Sequence, residues 1–328
     1  MADAGGNSPA SGFGDRLATV VAQRESQIVL GLDPDPTRLW PSPVEASARE
    51  REALALAFAE AAYAGGAPTG AAAEAAAAVL AHCRALIDAA APACVAAKPQ
   101  LACFERLGSA GWLALESVCS HARSAGLLVL ADAKRGDVPV TATAYAQALV
   151  GATPSPFGPI PGLGADALTA NPLLGRDALA PLVEGAREFG CGVFVLVRTS
   201  NPGAADFMDS ELATGEPLWE RLATAVHELG VTGPAGLADV GAVTGATAPE
   251  HLQRMRELMP NTPFLLPGVG AQGGDVESLA PAFAPGRAAG LVTASRSIAG
   301  VHEKHGGAPG PAARAEAERL RELAWGLA

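Results

Sequence analysis

Eight short apolar runs recur along this chain: QIVLGLD, CVAAKPQ, LLVLADAK, ALTANP, CGVFVLVRTSNP, VGAVTGAT, FLLPGVGAQGG and GLVTASRSI. Each closes on polar residues, and most are separated by stretches of helical character. Strands that alternate with helices form a parallel sheet. Eight such units in 328 residues predict an α/β fold of the closed (β/α)8 barrel type, the TIM barrel. The competing arrangement, a doubly wound open sheet, lacks its signature here: no G-x-G-x-x-G follows the first run.

The third run carries the strongest signal. Residues 127–145 read LLVLADAKRGDVPVTATAY. The first five are apolar without interruption, as in a buried strand. Asp132, Lys134, Arg135 and Asp137 then arrive together, and from Thr141 the pattern turns helical. Strand side chains repeat every two residues, so Asp132 and Lys134 share a face, within ion-pairing reach. Taken alone, the motif also fits a salt bridge that caps a strand end.

Residues 1–11 read as a flexible tail, and residues 12–328 as one barrel domain. Helices are expected at Phe13–Arg24, 46–63, Ala71–Ala90 and 108–125. The Ala71–Ala90 tract looks low in complexity, but alanine is the best helix former. Residues 151–164 hold four prolines and form a loop before the fourth strand, on the face away from the strand C-termini. Residues 203–219 form a long polar loop after the fifth strand, a candidate lid. AARAEAERLRELAWGLA closes the chain as an amphipathic helix.

A formal net charge of -11 with no Lys/Arg cluster argues against a nucleic-acid face. An acidic chain that binds an anion must build a local positive pocket. The five cysteines are scattered, odd in number and without C-x-x-C spacing, which predicts reduced core thiols in a cytoplasmic protein. The N-terminus lacks the apolar segment of a signal peptide. No run approaches the ~20 apolar residues of a membrane span.

The predicted strand ends supply Asp33, Lys98, Asp132 with Lys134, Asn171, Ser200, Thr247, Gln272 and Arg296. In a barrel these converge on one mouth, where active sites sit. Gly268, Gly270, Gly273 and Gly274 frame a loop whose backbone N–H groups can approach an anion closely. Arg296 at the next strand end can grip a phosphate with two hydrogen bonds. Lys98, Asp132, Lys134 and Asp137 form an expected buried quartet of balanced charge. Neighbouring carboxylates favour the ammonium form of Lys134. That form can stabilise a carbanion and then protonate it, and it works against Schiff-base chemistry. The six histidines fall on presumed helices or tails, so no metal set is expected, and no G-x-S-x-G elbow occurs.

These residues resemble a known family. Asp132-Ala-Lys134-Arg-Gly-Asp137 is similar to the D-x-K-x-x-D signature of the orotidine 5'-phosphate decarboxylases. GLDPDP, AAKPQLACFERLGSAGW, TANPLLG, FVLVRTSNP, GAVTGAT, LLPGVGAQGG and TASRSI extend the resemblance from about Gly31 to Ile298, toward the longer bacterial subgroup (type 2). The resemblance implies decarboxylation of orotidine 5'-monophosphate to uridine 5'-monophosphate, a step of pyrimidine biosynthesis. It implies Lys134 as the proton donor to C6 and Asp132 beside the substrate carboxylate. It further implies that Lys98 and Asp137 complete the charged network, that Asp33 and Lys98 lie near the ribose hydroxyls, and that Ser200 contacts the pyrimidine. By the same resemblance, Gln272 and Arg296 are expected to hold the phosphate, and Asp137 and Thr141 to cross a homodimer interface to the partner's ribose. No metal or organic cofactor is implied. Val138-Pro139 departs from the subgroup, which more often has Ile then Gly, and Pro139 removes a backbone N–H. D-x-K-x-x-D alone is shared with metal-dependent sugar-phosphate aldolases and decarboxylases of the same superfamily. Those enzymes and a non-catalytic nucleotide-binding barrel are the alternatives.

Overall fold

The structure, a computed structural model, describes residues 12–41, 48–49, 52–54, 70–270 and 273–328. Eight parallel strands close into a barrel: β1 (Ile28–Leu32), β2 (Ala96–Pro99), β3 (Leu128–Arg135), β4 (Ala167–Ala170), β5 (Gly192–Arg198), β6 (Val240–Thr244), β7 (Phe264–Leu266) and β8 (Gly290–Ala294). They pair in chain order, and β1 closes the ring against β8 with Ile28 opposite Val292. The predicted barrel is the observed one.

The strands read as unbroken apolar runs because both faces are buried. In β1, Ile28, Leu30 and Leu32 pack outward against the helices. Val29 turns inward, joining Ala96, Leu128, Leu130, Ala167, Phe194, Leu196, Leu265 and Leu291. Helix α1 (Phe13–Arg24) closes this inner core from below through Phe13, Leu17 and Val21. Phe13 meets Phe194 edge-on, ring centroids 5.7 Å apart. Gly192 makes that possible: a Cβ there would sit 2.5 Å from the Phe13 ring.

The outer layer includes α2 (Ala71–Ala90), α3 (Gly108–Ser124), α4 (Pro139–Leu149), α5 (Arg176–Glu188), α6 (Leu218–Leu229), α7 (Leu252–Leu258) and α8 (Pro309–Leu327). The expected tail 1–11 and most of the expected helix 46–63 lie outside the described residues. Contrary to expectation, one segment, Ala71–Ala93, is long and apolar enough to span a membrane by length and composition. Two-thirds of its most apolar 18-residue stretch is buried inside the protein, where α2 packs on α3 and α8. Its apolarity serves the barrel wall.

Two loops differ from their expected form. Residues 151–164 contain a small hairpin, Ala152–Thr153 against Ile160–Pro161. Residues 203–219 are folded, not open. Ala204–Phe207 is helical, the amides of Leu218 and Trp219 bond back to Ser210 and Met208, and Trp219 is buried. Arg198 at the end of β5 anchors this lobe through two 2.9 Å bonds to Asp209.

Candidate active site

Strands β2, β3 and β4 end side by side, and their inward positions carry the charge. Lys98 and Asp132 are only 6% and 5% exposed and form an ion pair. Buried charges persist only when paired and hydrogen-bonded, and Asp132 is fully served. Its Oδ2 accepts from Lys98 Nζ and from Gln100 Nε2 at 3.2 Å. Its Oδ1 accepts from Lys134 Nζ at 2.5 Å and Thr169 Oγ1 at 3.0 Å.

Burial pushes the Asp132 carboxyl up, but the Lys98 and Lys134 cations outweigh it and hold it at about 2. Burial likewise presses the Lys98 ammonium down, while Asp132 and Asp33 more than restore it, to above its ordinary value. The sign for stability follows. A depressed carboxyl stabilises the fold above the unfolded value of ~3.9, and that contribution is lost as pH falls through about 2. The stability gap between the parent and Asp132→Asn therefore narrows as pH falls from 4 toward 2. Urea midpoints at successive pH values measure it, and a constant gap would refute the pairing.

Lys134 sits above the buried pair, its side chain 44% exposed, with one side on Asp132 and the other toward the mouth. Its backbone is left-handed, φ 47°. Asp137 does not join the expected buried quartet within one chain. Its Oδ1 accepts from the Val138 amide at 2.8 Å, and no bond to Lys134 exists among the described residues. The cause is local. β3 ends at Arg135, and Gly136 presses so closely on the Asn171 carbonyl that a Cβ would lie 2.5 Å from it. The chain then leaves the rim and enters α4 with Pro139 in its first turn. An amide there has no intrahelical partner, so the proline is tolerated, and the Val138-Pro139 departure leaves the helix intact.

The other predicted residues ring the same mouth. Asp33, just past β1, accepts from Ser295 Oγ at 2.5 Å. Ser200 lines an open cleft of about 540 Å3 with Arg198, Asn201, Thr247 and Glu250, and its carbonyl accepts from Thr247 Oγ1. Arg296 is exposed at the start of the short helix Arg296–Ala299, with no partner among the described residues. Thr141 is exposed on the first turn of α4 and donates to the Val138 carbonyl. Asn171 is spent locally, accepting from the Leu173 amide. Gln272 lies outside the described residues. Among the described residues, no three His, Cys, Asp or Glu side chains gather as metal ligands.

Three contributors escaped the sequence reading: Gln100, Thr169 and Arg198. Gln100 follows Lys98 by two positions and Thr169 precedes Asn171 by two, so strand periodicity already placed them inward.

Comparison with known proteins adds the following. The sequence model of the family described as "Orotidine 5'-phosphate decarboxylase / HUMPS family" matches residues 26–307. The orotidine 5'-phosphate decarboxylase of Rhodopirellula baltica is 38% identical, over 89% of this chain and 89% of that protein. Its counterpart in Haloarcula marismortui is 41% identical, over 87% and 86%. The solved structure of the OMP decarboxylase of Leishmania donovani superposes with a TM-score of 0.65 at 28% identity, covering 95% of this chain and 99% of that one.

Proposed function

The chain belongs to the orotidine 5'-phosphate decarboxylase family, and we propose that Lys134 supplies the proton that replaces the departing carboxyl group. The reaction is that of a carboxy-lyase: orotidine 5'-monophosphate loses carbon dioxide to become uridine 5'-monophosphate. The C6–carboxyl bond breaks and its electron pair stays on C6. The Lys134 ammonium stabilises that pair through space and then gives it a proton. The amine regains its proton from solvent. Asp132 lies beside the substrate carboxylate, and Lys98 holds Asp132 in place.

One observation carries this reading: a carboxylate saturated by four donors, one of them a lysine cation whose side chain stays 44% exposed. Because Asp132 has no spare donor to offer a second anion, a carboxylate placed against it is repelled and released as a neutral gas. Around it, Asp33 and Lys98 serve the ribose hydroxyls, Ser200 the pyrimidine edge, and Gln272 with Arg296 the phosphate. Binding energy at the phosphate, remote from C6, drives closure over the reacting carbon. On the run of matching motifs we assign the chain to the longer, type 2 subgroup. Residues 12–328 act as one domain. We assign it to the cytoplasm, a reading with which its five unpaired thiols agree.

The site is shared between two copies of the chain, with Asp137 and Thr141 reaching the partner's ribose. Asp137 is left unused by its own Lys134. Beside it an apolar patch faces solvent: Val138, Val140, Leu173 and Leu174 are each more than half exposed. Patches of this kind mark interfaces. The assay is the loss of orotidylate absorbance on adding enzyme. Lys134→Ala and Asp137→Ala chains are inactive separately. Mixed and reassociated, they regain about a quarter of parental activity, the share expected when half the dimers carry one intact site. No recovery would mean that each site is built from one chain.

A further inference from the structure

We infer that Thr169 is a positioning residue for the proton donor, acting through both the Asp132 carboxylate and the Lys134 backbone. The inference rests on the role proposed for Lys134. Thr169 stands on β4, 2% exposed, at the inward position facing the end of β3. Its hydroxyl does two things at once. It donates to Asp132 Oδ1 at 3.0 Å and accepts from the Lys134 amide at 2.8 Å.

The second bond explains a backbone oddity. Lys134 adopts φ 47°, a left-handed conformation that side chains with a Cβ rarely take. Such conformations persist where surroundings over-determine them, typically at functional sites. Here the neighbouring strands shift register between Ala131 and Arg135, so the Lys134 amide leaves the regular ladder and Thr169 receives it. The backbone turn swings the lysine side chain over Asp132, and Lys134 Nζ lands 2.5 Å from Oδ1, the oxygen that Thr169 also holds. One hydroxyl thus fixes the carboxylate's rotation and the cation's point of attachment together.

A valine has nearly the shape of threonine and neither hydrogen bond. Without the hydroxyl, Asp132 can rotate about its pair with Lys98, and the Lys134 amide seeks another acceptor. A displacement of about 1 Å at a reacting group can reduce rate ~100-fold while leaving remote binding groups engaged. The nucleotide's phosphate and ribose contacts do not pass through Thr169, so affinity is spared.

The test measures kcat and KM for orotidine 5'-monophosphate in T169V and T169S, with thermal unfolding and uridine 5'-monophosphate binding on the same samples. K134A is run in parallel. The expected result is a kcat about 10- to 100-fold lower in T169V, KM within about three-fold of the parent, and near-parental values for T169S. Parental kcat in T169V, equal impairment of T169S and T169V, or a T169V defect confined to KM or to the folded fraction would each overturn the inference. If T169V fails to fold, the residue is structural and the inference also falls. If K134A itself turns over normally, the fault lies in the Lys134 assignment and not in the positioning.

Discussion

Lys134→Ala lowers kcat for decarboxylation by about 10^3- to 10^4-fold and leaves uridine 5'-monophosphate binding within a few-fold of the parent. The size follows from what is removed. A positioned general acid contributes about 10^2 to 10^4. A preorganised charge aimed at a developing anion contributes about 10^2 to 10^3. The two are one group here and do not simply multiply. Binding survives because the groups assigned to phosphate and ribose, Arg296 and Asp33, stand at other strand ends. Asp132 also keeps its buried partner Lys98, so the variant folds. Turnover at saturating orotidylate, with the product's affinity measured by titration, checks both halves. Near-parental turnover with intact binding would remove Lys134 from the mechanism.

Arg256→Met destabilises the protein by about 3 kcal/mol or more, with kcat and KM per folded molecule unchanged. Arg256 is 7% exposed on α7 and has no carboxylate partner among the described residues. Its guanidinium instead donates to five backbone carbonyls. Those of Met259, Pro260 and Thr262 lead into β7, and those of Ala282 and Ala289 precede β8. It also lies 3.7 Å above the Phe264 ring. Methionine fills much of the volume but supplies no donor; the Met259 carbonyl keeps the Thr262 amide, while each buried carbonyl left unsatisfied costs about 1–3 kcal/mol. Urea unfolding reads the loss. A midpoint shift equal to that of an ordinary surface arginine would show that the carbonyls are hydrated without it.

How far the sequence could be read depends on the range of the interaction involved. The strands were legible because a strand buried on both faces is a continuous apolar word, and Phe13–Arg24 and Ala71–Ala90 appeared as helices with the observed bounds. The Asp132–Lys134 pairing was legible because two residues on one strand need only a period of two. Thr169 and Arg256 were not, because their roles depend on register between β3 and β4 and on loop ends that approach only in three dimensions. Asp137 stands close to Lys134 in sequence, yet the two do not pair within one chain among the described residues. The turn at Gly136 and the start of α4 carry it off the rim, which strand periodicity does not foresee. The segment 203–219 looked like an open loop because its composition is polar. The Arg198–Asp209 clamp that folds it is a contact between strand and loop.

Helix α1, which closes the barrel from below, is made well before its socket and seated late. Arg16 bonds to Asp166, 150 residues further along, and Phe13 meets Phe194 further still. During synthesis on the ribosome the helix emerges without its socket, and its apolar stripe stays uncovered until β5 has followed it out. The order of translation thus leaves the base of the nascent barrel unsealed through more than half of the chain, an interval in which a chaperone could hold Phe13, Leu17 and Val21.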